Sequence, residues 1–183
     1  MIRVILWDID DTLLDFHAAE REAIKKLFGQ FGLGECTNEM LTRYSAINRS
    51  YWKRLELGEI SKSQVLIGRF REFFESEGLD VGCAEAFNEA YQVSLGDTIV
   101  YRDDSYNIVK SLRGKVKQYA VSNGTVIAQT KKLRLSGLGE LMDGVFLSEQ
   151  LGVEKPNVEF FDKVFAAIGQ TDKSEIMIVG DSL

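Results

Sequence analysis

The chain is short of the residues that usually punctuate, staple or metallate a protein: in 183 residues it has one proline, one histidine and two cysteines. Cys36 and Cys83 stand at no metal-binding spacing and are too few for a disulfide framework, so reduced thiols of an intracellular protein are expected. Basic residues are in deficit, 22 Lys and Arg against 28 Asp and Glu, for a net charge of −6. A surface of that sign does not favour nucleic-acid backbones or anionic membranes, so neither is expected as a partner. Long apolar runs are also missing. Ile2 to Trp7 is apolar but runs straight into acids, too short for a signal-peptide core or a membrane span. There are no internal repeats and no low-complexity tract, and the cytoplasm is the expected location.

What is present is alternation. Ile2 to Trp7 is a short run rich in branched residues, halted by Asp8-Ile9-Asp10-Asp11, and reads as a strand buried on both faces of a parallel sheet. Comparable runs recur at Lys117 to Val121, Gly144 to Leu147 and Ile176 to Val179. Helical patterns lie between them, near 105–112, 126–135 and 158–168. Strands alternating with helices predict right-handed crossovers and an α/β, doubly wound sheet. One interval breaks the pattern. About a hundred residues separate the first two strands, far beyond an ordinary connection, and carry helical periodicity at 16–31, 39–57, 61–77 and 83–95. They are expected to form a helical cap inserted into the core, with core at 1–15, cap at 16–96 and core again at 97–183.

Ligands of an open parallel sheet sit beyond the carboxyl ends of its strands. Those ends carry Asp8 and Asp10, then Ser122-Asn123-Gly124, then Gly180-Asp181-Ser182, with Lys155 after the third strand. Two carboxylates two residues apart suit a hard, oxygen-seeking cation such as magnesium, and a carboxylate can itself be a nucleophile that forms an aspartyl phosphate. Singly, each has an ordinary explanation: an acidic loop, an Asn-Gly turn, a surface lysine, a helix-capping acid. Together they supply the positioning and charge neutralisation that phosphoryl transfer needs.

Asp8-Ile9-Asp10-Asp11-Thr12-Leu13, Val121-Ser122-Asn123-Gly124, Lys155-Pro156 and Gly180-Asp181-Ser182 resemble, in order, the four motifs of the haloacid dehalogenase (HAD) superfamily. The likeness runs over essentially the whole chain, cap included. Asp10 to Phe16, Asn48 to Trp52, Glu56 to Glu59, Arg69-Phe70 and Ser148-Glu149 suggest the pyrimidine 5′-nucleotidase, or house-cleaning nucleotidase, branch. The resemblance implies that Asp8 attacks phosphorus and binds Mg2+. It makes Asp10 the acid that protonates the leaving oxygen and the base that activates water, its main-chain carbonyl also on the metal. Ser122, Asn123 and Lys155 would hold the phosphoryl oxygens, Asp181 would ligate magnesium, and Thr12 would brace the loop. Dehalogenases of the superfamily generally lack an acid two residues after the nucleophile, so Asp10 favours a phosphatase or phosphomutase acting on a small phosphorylated metabolite. Asp11 stands where many relatives have glycine.

In the cap, Asn48, Tyr51, Trp52 and Arg69 are candidates for nucleobase contact, set against the plainer expectation that Trp52 packs helices and Arg69 is a solvated charge. Hinges of the cap are expected near Asp15-Phe16 and Gly96-Asp97, and His17, beside the first, reads as a first-turn helix residue. The chain stops at Leu183, immediately after Gly180-Asp181-Ser182, where the family usually continues with another acid and further strand and helix. Part of the core is therefore expected to be missing, which leaves the last strand near an open sheet edge. A sugar-phosphate phosphatase or phosphomutase of the same superfamily is the first alternative. A receiver-like signalling module is more remote, because its phospho-accepting acid ends a later strand, whereas here Ser122-Asn123 and Leu147-Ser148 end the second and third.

Overall fold

The computed structural model describes residues 1–170 and 172–181. Its sheet has four strands, β1 (Val4–Trp7), β2 (Lys117–Ser122), β3 (Gly144–Leu147) and β4 (Ile176–Val179), all parallel and ordered β3-β2-β1-β4. The helices are α1 (Phe16–Gln30), α2 (Asn38–Glu56), α3 (Lys62–Ser76), α4 (Ala84–Ser94), α5 (Ser105–Leu112), α6 (Val126–Ser136), α7 (Ser148–Leu151) and α8 (Val158–Ile168). Short 3-10 turns precede α4 and β4 and follow α6. The α/β class read from the sequence is the one observed. Among the described residues no helix is long and apolar enough to cross a membrane.

The chain divides into two compact units, Met1–Ala19 with Gly96–Leu183, and Glu20–Leu95. In the first, β1 shows why the sheet is covered on both faces. Ile5 and Trp7 point into a cluster with Val109 of α5, Ala120 of β2 and Leu133 of α6. Val4 and Leu6, one residue out of phase, pack with Val121 of β2 and with Phe160 and Val164 of α8. All four β1 side chains are buried, as expected of a central parallel strand. Trp7 also donates its indole N–H to Gln118 Oε1 at 3.1 Å, and Gln118 donates to the Val109 carbonyl, so two buried polar groups are satisfied by one amide. The strand at the other end of the order differs. Among the described residues β4 pairs only with β1, and Met177 and Ile178 are 45% and 52% exposed, so it stands at the edge of the described sheet.

The second unit is helical and has its own core. Phe28, Tyr44, Phe70, Phe73, Phe74, Phe87 and Tyr91 are buried together, with Tyr44 stacked on Phe70 and Phe87 edge-on to Phe74, ring centres 5.1 Å apart in each pair. Its helix starts are written in the sequence. Thr37 caps α2, and Ser61 with Gln64 forms a reciprocal capping box at α3.

Candidate active site

Asp8 follows β1 directly, and its N–H donates to the Val179 carbonyl of β4, which fixes it at the carboxyl edge of the sheet. The following loop is pinned by its apolar residues and by hydrogen bonds. Ile9, Leu13 and Leu14 are buried, and the Ile9 carbonyl accepts from the N–H groups of both Leu13 and Leu14. Asp11 sits at φ 59°, in the left-handed region where glycine is usual and Asp is tolerated. It adds what glycine could not: its Oδ1 accepts from the Phe16 N–H at the start of α1. His17 Nε2 and the Arg102 guanidinium approach Asp11 at 3.6 and 3.8 Å. Burial raises the Asp11 carboxyl above its ordinary range, opposed by His17. Asp181, exposed after β4, acts in the same direction as burial on that carboxyl. Ser182 lies outside the described residues. The Thr12 hydroxyl is buried without a hydrogen-bond partner among the described residues.

Lys155 comes from the loop between α7 and α8, and the fold brings it to the nucleophile candidate. Its Nζ is 2.7 Å from Asp8 Oδ1 and 3.1 Å from the Val121 carbonyl. Asp8 and Lys155 side chains are only 17% and 19% exposed. Burial raises the Asp8 carboxyl to about 6, against the lowering pull of the Lys155 ammonium. One cation therefore does not fully compensate a carboxylate placed there. Ser122 is buried at the end of β2, and its Oγ accepts from the Gly124 N–H at 3.0 Å, which leaves the hydroxyl hydrogen to donate elsewhere.

The side chain of Asn123 is engaged with the main chain of Lys155. Its Nδ2 donates to the Lys155 carbonyl and its Oδ1 accepts from the Lys155 N–H, both at 2.8 Å. Both ends of the amide are used on the Lys155 main chain, so Asn123 aims the lysine. Asn48 and Arg69 change place. They are 4% and 1% exposed inside the helical unit, where Arg69 donates to Asn48 and Asn88, and Asn48 donates to the buried Glu20. An interior network of this kind holds a helical core together, and the expectation of nucleobase contact from these two is corrected accordingly. Trp52 is partly exposed on α2. A groove of about 440 Å³ on the same unit is lined by Tyr51, Arg54, Gln64, Ile67, Arg71 and Glu85, without Trp52.

Two residues that the sequence reading passed over converge on Asp10. Gln129 Nε2 donates to Asp10 Oδ2, and Lys132 Nζ bonds Oδ1, each at 2.5 Å. Both come from α6, which starts just after Ser122-Asn123-Gly124 because Thr125 caps it. Its buried stripe, Ala128, Gln129, Lys132, Leu133 and Ser136, mixes polar with apolar residues, and that mixture was the available signal.

The residues that could hold a metal, if it binds where the sequence suggests, would offer oxygen alone: the Asp8 and Asp181 carboxylates and the Asp10 main-chain carbonyl. Magnesium keeps several waters and needs few protein carboxylates, so a set this small is sufficient. Among the described residues no three acidic, histidine or cysteine side chains converge on one point. A cation at Asp8 would ease the burial of its carboxylate, which the Lys155 ammonium offsets only in part.

Comparison with known proteins gives the family of the chain. A family model described as haloacid dehalogenase-like hydrolase matches residues 2–183. The chain belongs to this family. It is 34% identical over 181 residues to the HAD-hydrolase YfnB of Bacillus subtilis, which covers 99% of this chain and 76% of that protein. It is 32% identical over 182 residues to the pyrimidine 5′-nucleotidase PynA of Streptococcus pneumoniae, with the same two coverages. The crystal structure of B. subtilis YfnB bound to magnesium superposes with a TM-score of 0.92 at 32% identity, over 99% of this chain and 80% of that one. The chain is thus a hydrolase with the HAD fold, in a family whose members are generally magnesium-dependent.

Proposed function

We propose that this hydrolase is a phosphatase that uses Asp8 as nucleophile, with nucleoside 5′-monophosphates, pyrimidine nucleotides foremost, as its substrate class. The observation that carries the reading is the part-buried Asp8 carboxylate held 2.7 Å from Lys155 Nζ, with a second carboxylate, Asp10, two residues later. The likeness to PynA supports the nucleotide.

In the proposed reaction an Asp8 oxygen forms the bond to phosphorus as the ester P–O bond breaks, and Asp10 gives its proton to the departing oxygen. Asp10 then takes a proton from water as that water's oxygen displaces Asp8 from phosphorus. Lys155 and the Ser122 hydroxyl neutralise charge on the phosphoryl oxygens, and Asn123 holds Lys155 in place. Asp8, the Asp10 carbonyl and Asp181 would hold magnesium, which supplies charge neutralisation at the phosphoryl group when bound.

The test is phosphate release from a panel of nucleoside monophosphates and sugar phosphates, with and without magnesium, on the chain and its Asp8→Asn variant. Magnesium-dependent release that disappears in the variant is expected, with pyrimidine nucleotides preferred. Release that survives in Asp8→Asn removes the nucleophile assignment, and a preference for sugar phosphates removes the nucleotide.

A further inference from the structure

Lys132 is a charged side chain 2% exposed, with its ammonium on Asp10 and 5.1 Å from the centre of the Phe16 ring. Burying an ammonium is costly, and a helix position that only fills a core is served as well by Leu or Met. Gln129, one turn earlier on the same face, is buried too, and its Oε1 has no partner among the described residues. Its amide reaches Asp10 by passing over Gly124. A Cβ at residue 124 would lie 2.1 Å from Gln129 Nε2 and 2.8 Å from its Cγ. The chain thus leaves an amide oxygen unsatisfied, buries a charge and keeps a glycine beneath them, and each feature serves the same contact. The two donors take one oxygen each of a single carboxylate. That fixes its χ angles more tightly than either donor alone.

We propose that Gln129 and Lys132 are positioning residues that clamp the Asp10 carboxyl in the orientation needed to hand a proton to the leaving oxygen and then take one from water. The proposal rests on the phosphatase reading above. In the first step the Asp8–phosphorus bond forms, the ester P–O bond breaks, and the Asp10 proton goes to the departing oxygen. In the second, water's oxygen bonds to phosphorus, the Asp8–phosphorus bond breaks, and water's proton goes to Asp10. A carboxyl free to rotate is wrongly placed for both transfers, and a misplacement near 1 Å costs up to about 10²-fold.

The two steps respond differently to the leaving group, which gives a readout that a merely structural role would not move. Nucleoside leaving oxygens need the proton, whereas p-nitrophenolate leaves without it. In Lys132→Met and Gln129→Leu, kcat on a nucleoside monophosphate should fall roughly 10–100-fold with KM within about threefold. On p-nitrophenyl phosphate the same variants should release a rapid burst of about one p-nitrophenolate per enzyme, then turn over slowly, because only the second step still needs Asp10. Lys132→Arg, which keeps the charge and the donors, should recover most of the lost kcat.

Unchanged kcat, a loss confined to KM, or equal losses on both substrates without a burst would each overturn the proposal. If Lys132→Met fails to fold, Gln129→Leu, which removes no charge, decides alone. Wild-type protein that releases phosphate from nothing in the panel fails the phosphatase reading and this proposal with it. An active wild type with unaffected variants fails the clamp only.

Discussion

Replacing Asp8 by Asn should make the metal-free protein more stable while abolishing its activity. The folded-state carboxyl is raised from its ordinary 3.8 to about 6, chiefly by burial. That gap corresponds to about 3 kcal/mol of folding stability forfeited once the group is ionised. The Lys155 attraction is already inside that net value, because it opposes the rise. The sign follows from proton counting. Below about pH 4 the carboxyl is protonated whether folded or unfolded, and the variant and the wild type should be alike. Between pH 4 and 6 the folded state holds the proton that the unfolded chain has released, so wild-type stability falls as pH rises. Above pH 6 the full penalty is present, and the uncharged Asn escapes it while still offering Lys155 an oxygen. The expected advantage of the variant at pH 7.5 is about 1–3 kcal/mol. For a chain of this size each kcal/mol moves the midpoint by about 2–4 °C.

The assay is thermal or urea unfolding in EDTA from pH 4 to 8, followed by the fluorescence of Trp7, the buried residue next to Asp8. Trp52, the second tryptophan, is changed to Phe in both proteins so that the signal reports the sheet unit. Excess magnesium should then close the gap from the wild-type side, since an ion bound only to the folded state at 100 times its Kd adds about 2.7 kcal/mol. A variant no more stable than wild type at pH 7.5, or a difference that does not change between pH 4 and 7.5, would refute the reasoning.

Three further perturbations have defined outcomes. Gly124→Ala pushes its new Cβ into the Gln129 side chain and should lower kcat about tenfold, with a stability cost of about 1–3 kcal/mol, read by steady-state kinetics and thermal melting; wild-type kcat would show that Gln129 has room to move. Arg69→Met leaves Glu20 buried without that charge in its network and should destabilise the helical unit by about 3 kcal/mol in urea unfolding followed by Trp52; a loss below about 1 kcal/mol would mean that Asn48 and Ser45 suffice to hold the carboxylate. Gln118→Leu orphans both the Trp7 indole N–H and the Val109 carbonyl and should cost about 2–4 kcal/mol with a shifted Trp7 emission; an unmoved emission maximum would argue against the bond.

The elements that could be read from the sequence are those whose signal is local. A run such as Val4 to Trp7 stopped by acids specifies a buried strand and its functional end together, because the sheet puts strand ends where ligands bind. Lys155 was recoverable for the same reason, as the cation after the third strand, although nothing local states that it reaches Asp8. Asp11 shows a local rule at work, since an acid in a glycine position is explained by its φ of 59° and by the N–H it caps. β4 was read as one more core strand with its edge left open. Its exposure is decided by which neighbour it has, and the run Ile176 to Val179 says nothing of that.

The residues misjudged share a different property, which is that their meaning depends on what lies across from them. Asn123 was expected at the phosphoryl group, and nothing local says that its amide also spans the Lys155 main chain. Arg69 looks like a base-binding or solvated charge until helix packing buries it beside Asn48 and Asn88. Gln129 and Lys132 carry no local sign of their contact, because polar residues on a short helix normally form a solvated face. Only burial separates Lys131, which pairs with Asp97, from Lys132, which pairs with Asp10. Yet the physics leaves a trace that can be searched for. A helix that starts at the functional end of a sheet and is capped there turns its first buried positions toward the site. Polar residues at those positions can only be satisfied by one another or by the strand-end loops. Applied to α6, that rule selects Gln129 and Lys132 and discards Lys131, which stands one position off the stripe.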